Sequence, residues 1–181
     1  MARDRKDDRK KIPEYKVEGA RIMFRNFAGK KTDYNEAGNR NFALCVPEED
    51  VEMLMDYGWN VKRLKPREDN PLGQAYIPVK VKYGDYPPIA AIISSRGGTR
   101  LDESTIEQLD WVRIKNVDLT IRPYQYGPTA IKPEGGVSAY LKNIYVTIQE
   151  DALEEKYANI DWSDAVADMN DEPDEDEMPF K

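Results

Sequence analysis

The chain has 181 residues, of which 40% are hydrophobic and 34% are charged, and its formal net charge is −7. This length suits one domain with terminal extensions, and the polar composition predicts a soluble protein without a membrane span. The chain contains no histidine and a single cysteine, Cys45. These counts exclude histidine-based catalytic triads and an internal disulfide, and they fit a cytoplasmic protein that needs no cofactor.

The charge is distributed unevenly along the chain. Residues 150–181 contain 13 acidic and two basic residues, a net charge of −11, which leaves +4 for residues 1–149. This asymmetry indicates a basic body that binds a polyanion and an acidic tail that competes with that ligand.

The first predicted element follows a charged N-terminal arm. Residues 1–13 mix both charges without periodicity, so we expect a disordered arm, and the absence of an apolar core predicts no secretory signal. Residues 17–27 alternate as a strand, which places Ile22 and Phe24 towards the core. The opposite face then carries Arg21, Met23, Arg25 and Phe27.

A basic loop, a strand and a helix come next. Residues 29–40 form a loop rich in turn residues, and the following strand directs Phe42, Leu44 and Val46 to the core. Cys45 lies opposite and is interpreted as a buried or half-exposed structural thiol. Residues 47–57 are typical of a helix, with proline and acidic residues at its start and glycine after its end.

The middle of the chain predicts further strands. Residues 59–64 form a short strand, and residues 75–83 alternate clearly, although Pro78 suggests an edge or bulged position. Residues 89–93 are apolar enough for a central strand. Residues 94–100 form a glycine-rich loop suited to gripping a phosphodiester backbone, and residues 102–111 a short helix.

Two long strands complete the predicted body. Residues 112–126 direct Val117, Leu119 and Ile121 to the core, and residues 137–149 return after a Pro/Gly loop towards a short helix at 150–157. Trp59 and Trp111 are expected to anchor the core. We therefore predict a mainly β fold, an OB-like β-barrel with inserted short helices. Its domain spans residues 14–160, between the disordered arm at 1–13 and an acidic interaction tail at 161–181.

The strand faces turned away from the core combine basic and aromatic residues. Single-stranded nucleic acid needs cations along its phosphates and aromatic faces for its bases. The candidate nucleic-acid-binding residues are Arg21, Arg25, Phe27, Lys30, Lys31, Tyr34, Arg40, Lys62, Arg63, Tyr76, Lys80, Lys82, Arg96, Arg100, Arg122, Tyr124, Tyr126, Tyr140 and Lys142. Taken singly, each tyrosine or lysine is ordinary on an exposed strand; their recurrence on the outer face of several strands favours a binding surface.

Two other classes of protein remain open. Carboxylates such as Asp102, Glu103 and Asp118 could serve a metal-dependent nuclease, but their spacing indicates no metal site, and acids at a helix start are usually caps. An interaction or assembly protein, or a DNA mimic acting through the acidic tail, is the main alternative.

The tail ends in a short apolar tip. The run Asp174, Glu175, Asp176 and Glu177 leads into Met178, Pro179 and Phe180, with Lys181 after the phenylalanine. This pattern resembles the C-terminal tip of bacterial single-stranded-DNA-binding proteins, which implies that it recruits replication or recombination proteins. Lys181 departs from the pattern by displacing the terminal carboxylate, so capture of host partners is in question.

The body also resembles a known group. Residues 20–27, 38–42, 58–62 and 141–148 are similar to single-stranded-DNA-binding proteins of tailed bacteriophages. The resemblance implies an OB-type barrel that coats single-stranded DNA during phage replication or recombination in the host cytoplasm. A homo-oligomer is compatible with the sequence, and no membrane partner is expected.

Overall fold

The computed structural model describes residues 11–158, so most of the predicted arm and the whole predicted acidic tail lie outside the described residues. The described part contains nine strands and three short helices. The strands are β1 (Tyr15–Val17), β2 (Ile22–Asn26), β3 (Arg40–Cys45), β4 (Lys62–Arg63), β5 (Ala75–Val81), β6 (Ile89–Ser94), β7 (Gly97–Leu101), β8 (Ile114–Tyr126) and β9 (Gly136–Ile148). The helices are α1 (Glu48–Asp56), a 3-10 helix (Ile106–Asp110) and α2 (Ala152–Tyr157).

The chain divides into two compact units. The first extends to Gln149, and the second starts at Glu150 and includes α2. This boundary coincides with the change from the basic to the acidic part of the sequence. In α2, Asp151 accepts a hydrogen bond from the Leu153 amide, and Glu154 accepts one from the Asp151 amide, so a capping box starts this helix.

The strands of the first unit form one mixed sheet. The long strands β8 and β9 pair antiparallel, β9 runs parallel to β5 and β6, and β5, β3 and β2 continue antiparallel. Within residues 11–158, β1 pairs with β8 alone and β2 with β3 alone, so strand pairing does not close the sheet. The predicted mainly β fold with inserted short helices is confirmed, and its partly open sheet is typical of OB-like barrels.

The core lies on one face of this sheet. The residues predicted to face inward on β3 and β8 are buried, as are Ile77 and Val79 of β5, and Trp59 joins them. Every fully buried side chain in the described part is apolar. Each large aliphatic or aromatic side chain removed from water contributes about 1.5–3 kcal/mol, so these alternating positions stabilise the sheet and fix which face remains outside.

The prediction of a strand at residues 17–27 is wrong in the extent of the strand and in the direction of two of its side chains. Residues 18–21 separate β1 from β2, and β2 contains a register shift between Met23 and Asn26. The extra residue of this bulge reverses the alternation. Phe24, predicted for the core, is 65% exposed, whereas Phe27, predicted for the binding face, is fully buried and stacks on Phe42 with ring centroids 5.1 Å apart.

Pro78 does not mark an edge strand. It lies in β5, which pairs with β3 along one side and with both β4 and β9 along the other. The β4 pairing ends at Tyr76 and the β9 pairing begins at Val79. Proline, which has no amide hydrogen, therefore occupies the gap between two ladders and costs the sheet no hydrogen bond on that side.

Three other sequence predictions need correction. Residues 94–100 belong to the hairpin of β6 and β7, in which Ser95 and Arg96 form the turn and Gly97 follows it with φ of +115°. Only Lys62–Arg63 of the predicted strand at 59–64 is extended in a ladder. Trp111 is 62% exposed, and its Nε1 donates a hydrogen bond of 2.8 Å to the Glu107 carbonyl oxygen instead of entering the core.

Candidate nucleic-acid interface

Three open depressions meet on the outer face of the sheet, around the ring of Tyr140. They also share Lys80, Lys82, Tyr124 and Pro78 between neighbouring depressions, so their lining is continuous. We call this lining the Tyr140 surface. It is formed by the outer faces of β5, β8 and β9, by the start of β3 and by loop residues beside these strands. Its basic and aromatic members are Tyr34, Arg40, Lys80, Lys82, Tyr83, Tyr86, Arg122, Tyr124, Tyr126, Lys132 and Tyr140.

Strand register places three of these side chains in one row. Arg122 of β8 is the cross-strand partner of Tyr140 of β9, and Tyr140 is the partner of Lys80 of β5. Neighbouring strands lie about 4.8 Å apart, so a ring stands between two cations across three strands. The row arises because the outward positions of all three strands coincide at this point of the sheet.

Aromatic contacts hold the rings of this row. The rings of Tyr124 and Tyr140 meet edge to face with centroids 6.0 Å apart, and Lys80 Nζ lies 5.9 Å from the Tyr140 centroid. Both contacts leave the tyrosines partly exposed. The arrangement can therefore receive a flat base while keeping a cation within reach of its phosphate.

Tyr86 extends the surface beyond β8. The Arg122 guanidinium lies 5.2 Å from the Tyr86 ring centroid, and its Nη2 donates a hydrogen bond of 2.8 Å to the Tyr86 carbonyl oxygen. Because the guanidinium is held by a carbonyl and a ring rather than by a carboxylate, its positive charge remains available to an anion.

The Tyr140 surface is positively charged. Its lining includes five basic residues and two acidic ones, Asp85 and Glu103. Glu103 Oε1 lies 3.4 Å from Arg40 Nη1, whereas in residues 11–158 no carboxylate is found within ion-pair distance of the other four cations. The basic lining residues are Arg40, Lys80, Lys82, Arg122 and Lys132.

Near Arg40, the lining of the Tyr140 surface contains two polar atoms that lack hydrogen-bond partners. Arg40 Nε and the Tyr83 hydroxyl are buried without a hydrogen-bond partner, although the guanidinium lies 5.6 Å from the Tyr83 ring. Burial raises the pKa of Tyr83, so its hydroxyl stays protonated and can donate. Unsatisfied donors beside an open depression favour an anionic or polar ligand.

Eight of the predicted residues meet at the Tyr140 surface, and several others are engaged elsewhere. Arg63 forms a two-point ion pair with Glu48, which lowers the pKa of that carboxyl through the hydrogen bond. Lys142 Nζ lies 2.8 Å from a carboxylate oxygen of Glu14. Those brought together are Tyr34, Arg40, Lys80, Lys82, Arg122, Tyr124, Tyr126 and Tyr140.

Two predicted residues near the 3-10 helix have structural contacts. Arg25 Nη1 donates hydrogen bonds of 2.9 Å to the carbonyl oxygens of Leu109 and Val112, which stabilises the end of that helix. Phe27 belongs to the core, and the prediction that it binds nucleic acid is therefore wrong. Arg21 lines a separate depression, which shares no residue with the Tyr140 surface.

The remaining predicted residues are exposed or partly exposed on other elements. Lys30 and Lys31 lie in the β2–β3 loop, which also carries Tyr34, and Arg96 and Arg100 lie on the β6–β7 hairpin. Lys62 of β4 is the register partner of Tyr76 at the start of β5. Tyr76 shares the outer face of β5 with Lys80 but lines none of the three depressions.

Sequence reasoning missed three contributors to the surface, Tyr83 just after β5 and two residues in turns. Tyr86 follows β5 in the turn before Pro87, and Lys132 lies in the Pro/Gly loop between β8 and β9. Both sit in turns, where period-two alternation gives no information about facing. The available signal was an aromatic residue or a lysine in a turn, next to a strand already assigned to the interface.

The carboxylates considered for a nuclease are used in other ways. Asp102 accepts hydrogen bonds from Ser104 and Thr105, and these lower the pKa of its carboxyl. Asp118 accepts one from the Gly19 amide. Among residues 11–158, no three acidic or cysteine side chains are grouped as metal ligands. In the same range, no helix has the length and apolarity that crossing a bilayer requires.

Cations beside exposed rings are typical of proteins that bind single-stranded nucleic acid, and comparison with known families agrees with this class. Residues 5–179 match the family described as "Putative phage ssDNA-binding domain". The match covers nearly the whole chain, so the protein belongs to this phage family of single-stranded-DNA-binding domains. The resemblance of the body to phage single-stranded-DNA-binding proteins is confirmed, and the chain belongs to a binding family, not to an enzyme family.

Three solved structures of similar proteins have sequence identities of 8–15% to this chain. The single-stranded DNA-binding protein from bacteriophage Enc34 in complex with ssDNA is 12% identical, with a TM-score of 0.49 over 76% of this chain and 88% of that chain. Another structure of the single-stranded DNA-binding protein from bacteriophage Enc34 is 15% identical, with a TM-score of 0.46 over 84% of this chain and 89% of that chain. The protein gp2.5 of bacteriophage T7 is 8% identical, with a TM-score of 0.39 over 83% and 96%. No curated protein sequence matches the chain.

Proposed function

We propose that the protein binds single-stranded DNA without sequence preference through the Tyr140 surface. The row of Arg122, Tyr140 and Lys80 across three strands carries this proposal, because it presents a ring between two cations on an open face. Membership in the phage family supports the same ligand.

The chemistry of the row explains why strand sequence should matter little. Every base has a flat π face, so stacking on Tyr140 or Tyr124 accepts any of them and contributes about 1–3 kcal/mol per base. Lysine and arginine neutralise phosphates, which all nucleotides share. Base pairs in a duplex already stack on each other, so their faces are unavailable to these tyrosines.

The salt dependence of binding follows from the same cations. Each phosphate neutralised on a single strand contributes roughly −0.7 to the slope of log K against log salt. If four or five cations of the Tyr140 surface engage phosphates, the slope should be about −3 for this surface. A smaller slope would mean that stacking, not charge, supplies most of the affinity.

A direct binding assay tests the proposal. Fluorescence anisotropy with labelled oligo-dT, a mixed-sequence strand and the matching duplex, at two salt concentrations, should show similar affinity for both single strands and much weaker affinity for the duplex. Failure to bind any single strand would refute the proposal and would favour the interaction or assembly protein. Metal-dependent cleavage would favour the nuclease.

We further propose that this binding coats and protects DNA during phage replication or recombination, in the cytoplasm of the infected cell. In this proposal the acidic segment from Asp168 onward competes with DNA for the basic body. The net charge of −11 in residues 150–181, against +4 in residues 1–149, supports competition, since a tethered polyanion has a high effective concentration near the cations. DNA would displace it and free residues 178–180 for a replication or recombination protein.

Two tail variants separate competition from recruitment. Deleting residues 168–181 should tighten DNA binding at low salt, and the effect should fade at high salt because the competition is electrostatic. Replacing residues 178–180 with glycine and serine keeps the acidic run, so DNA affinity should remain unchanged while any partner bound by the tip is lost. Unchanged or weaker DNA binding after the deletion would contradict the competition.

A further inference from the structure

We propose that Phe24, supported by Tyr76, forms a second stacking site for an unpaired base, which extends the DNA path from the Tyr140 surface along β5. This inference rests on the proposed single-stranded-DNA binding and names a contact outside the three depressions.

Phe24 has φ of +52°, and it is the sole residue other than glycine with positive φ in the described part of the chain. A side chain with a Cβ is disfavoured in this region, so the conformation costs folding stability. Such strain persists when surrounding structure imposes it, and it is concentrated at sites that bind ligands. In β2 the surrounding structure is the bulge between Met23 and Asn26.

The bulge turns an apolar ring outward. Met23 pairs with Ala43, which pairs with Pro78 on the outer face of β5, so regular alternation would direct Phe24 inward. Instead its ring is 65% exposed. Folding stability does not favour a phenylalanine in this strained conformation, whereas an exposed ring can receive a base by stacking.

Tyr76 holds this ring in a defined position. The two rings meet at 77° with centroids 6.5 Å apart. Tyr76 is partly buried and shares the outer face of β5 with Pro78 and Lys80. An edge-to-face pair fixes the orientation of an exposed ring without covering all of its surface.

The location of the pair continues the DNA path. Tyr76 precedes Lys80 by four residues on the same strand face, roughly 13 Å along β5. Lys62, exposed on β4, lies opposite Tyr76 in the register and supplies a cation beside the pair. A strand stacked on Tyr140 can therefore run along β5 and place a later base on Phe24.

Substitutions of Phe24 test this path through oligonucleotide length. Phe24→Gly removes the ring and relieves the positive φ, so its melting temperature should equal or exceed that of the unsubstituted protein. Its affinity for a long oligo-dT should fall between about 5-fold and 150-fold, while affinity for an oligo-dT just long enough to cover the Tyr140 surface stays unchanged. Leu72→Ala, which truncates another exposed apolar side chain, should alter neither affinity.

A second variant distinguishes stacking from apolar contact. Phe24→Leu keeps an apolar side chain without a ring, and it should bind long oligo-dT as weakly as Phe24→Gly. Affinity equal to that of the unsubstituted protein, in either variant and at every length, would overturn the inference and leave the proposed function standing. If the unsubstituted protein binds no oligo-dT, the proposed function fails first and this inference fails with it.

Discussion

Removing the ring of Tyr140 is the most direct perturbation of the interface. In the free protein this ring contacts Tyr124 and lies 5.9 Å from Lys80 Nζ, contacts worth about 0.5–1.5 kcal/mol each. These contacts also exist without DNA, so they bear on stability more than on affinity. The affinity loss in Tyr140→Ala should equal the lost base stacking, about 1–3 kcal/mol, which weakens Kd by about 5-fold to 150-fold.

The assay compares three variants by anisotropy with labelled oligo-dT over a range of salt concentrations. Tyr140→Phe keeps the ring and should bind nearly as the unsubstituted protein does. Tyr145→Ala removes another exposed tyrosine of β9 that lies outside the three depressions, so it should have no effect on binding. Circular dichroism and urea unfolding check that each variant is folded.

The salt dependence supplies the decisive comparison. Tyrosine is neutral, so Tyr140→Ala should lower log K by a constant amount and leave its slope against log salt unchanged. An unaltered Kd in Tyr140→Ala, or an equal loss in Tyr145→Ala, would refute the assignment of base stacking to this ring.

Three further substitutions test charge and packing. Lys80→Ala should make the salt slope of oligo-dT binding less negative by about 0.7, while Lys142→Ala, whose amine is already paired, should change it less; equal changes would contradict the interface. Glu103→Gln removes a carboxylate from the Tyr140 surface and should tighten oligo-dT binding a few-fold by anisotropy, more than Glu107→Gln, which changes net charge identically. Phe27→Ala should lower the free energy of unfolding in urea by about 3–5 kcal/mol, because it empties a fully buried site; a loss under 1 kcal/mol would mean that this ring is not part of the core.

Alternation along β5 and β8 was a reliable guide to which side chains face the core. On β5, buried Ile77 and Val79 alternate with outward Lys80, and on β8 the inward series includes Leu119. A side chain's facing follows directly from the pleat, so the sequence predicted both the core and the candidate binding face there. The basic and aromatic character of that face could be read from the same positions.

Alternation failed at the bulge in β2. One additional residue exchanged the expected roles of Phe24 and Phe27, which put one ring outside and the other in the core. No glycine or proline within β2 marks this position, so nothing local indicated the shift. The bulge is imposed by pairing with β3, which the sequence of β2 does not encode by itself.

The sequence pattern also did not indicate which cations form ion pairs. Lys142 and Glu14 are 128 residues apart, and Arg63 and Glu48 are 15 apart, yet each pair joins in the folded chain. Both cations were reasonable candidates by type and facing. Their carboxylate partners became known only from the tertiary contacts.

The amino-acid sequence by itself determined the mainly β class, the inward positions of the long strands, the separation of basic body from acidic tail and the type of ligand to expect. Each of these depends on residue type and short-range periodicity. The tertiary structure decided which cations and rings are neighbours, because Arg122, Tyr140 and Lys80 meet only through the pairing of strands distant in the chain. Strand register, which is a property of the whole sheet, converts scattered outward residues into one surface.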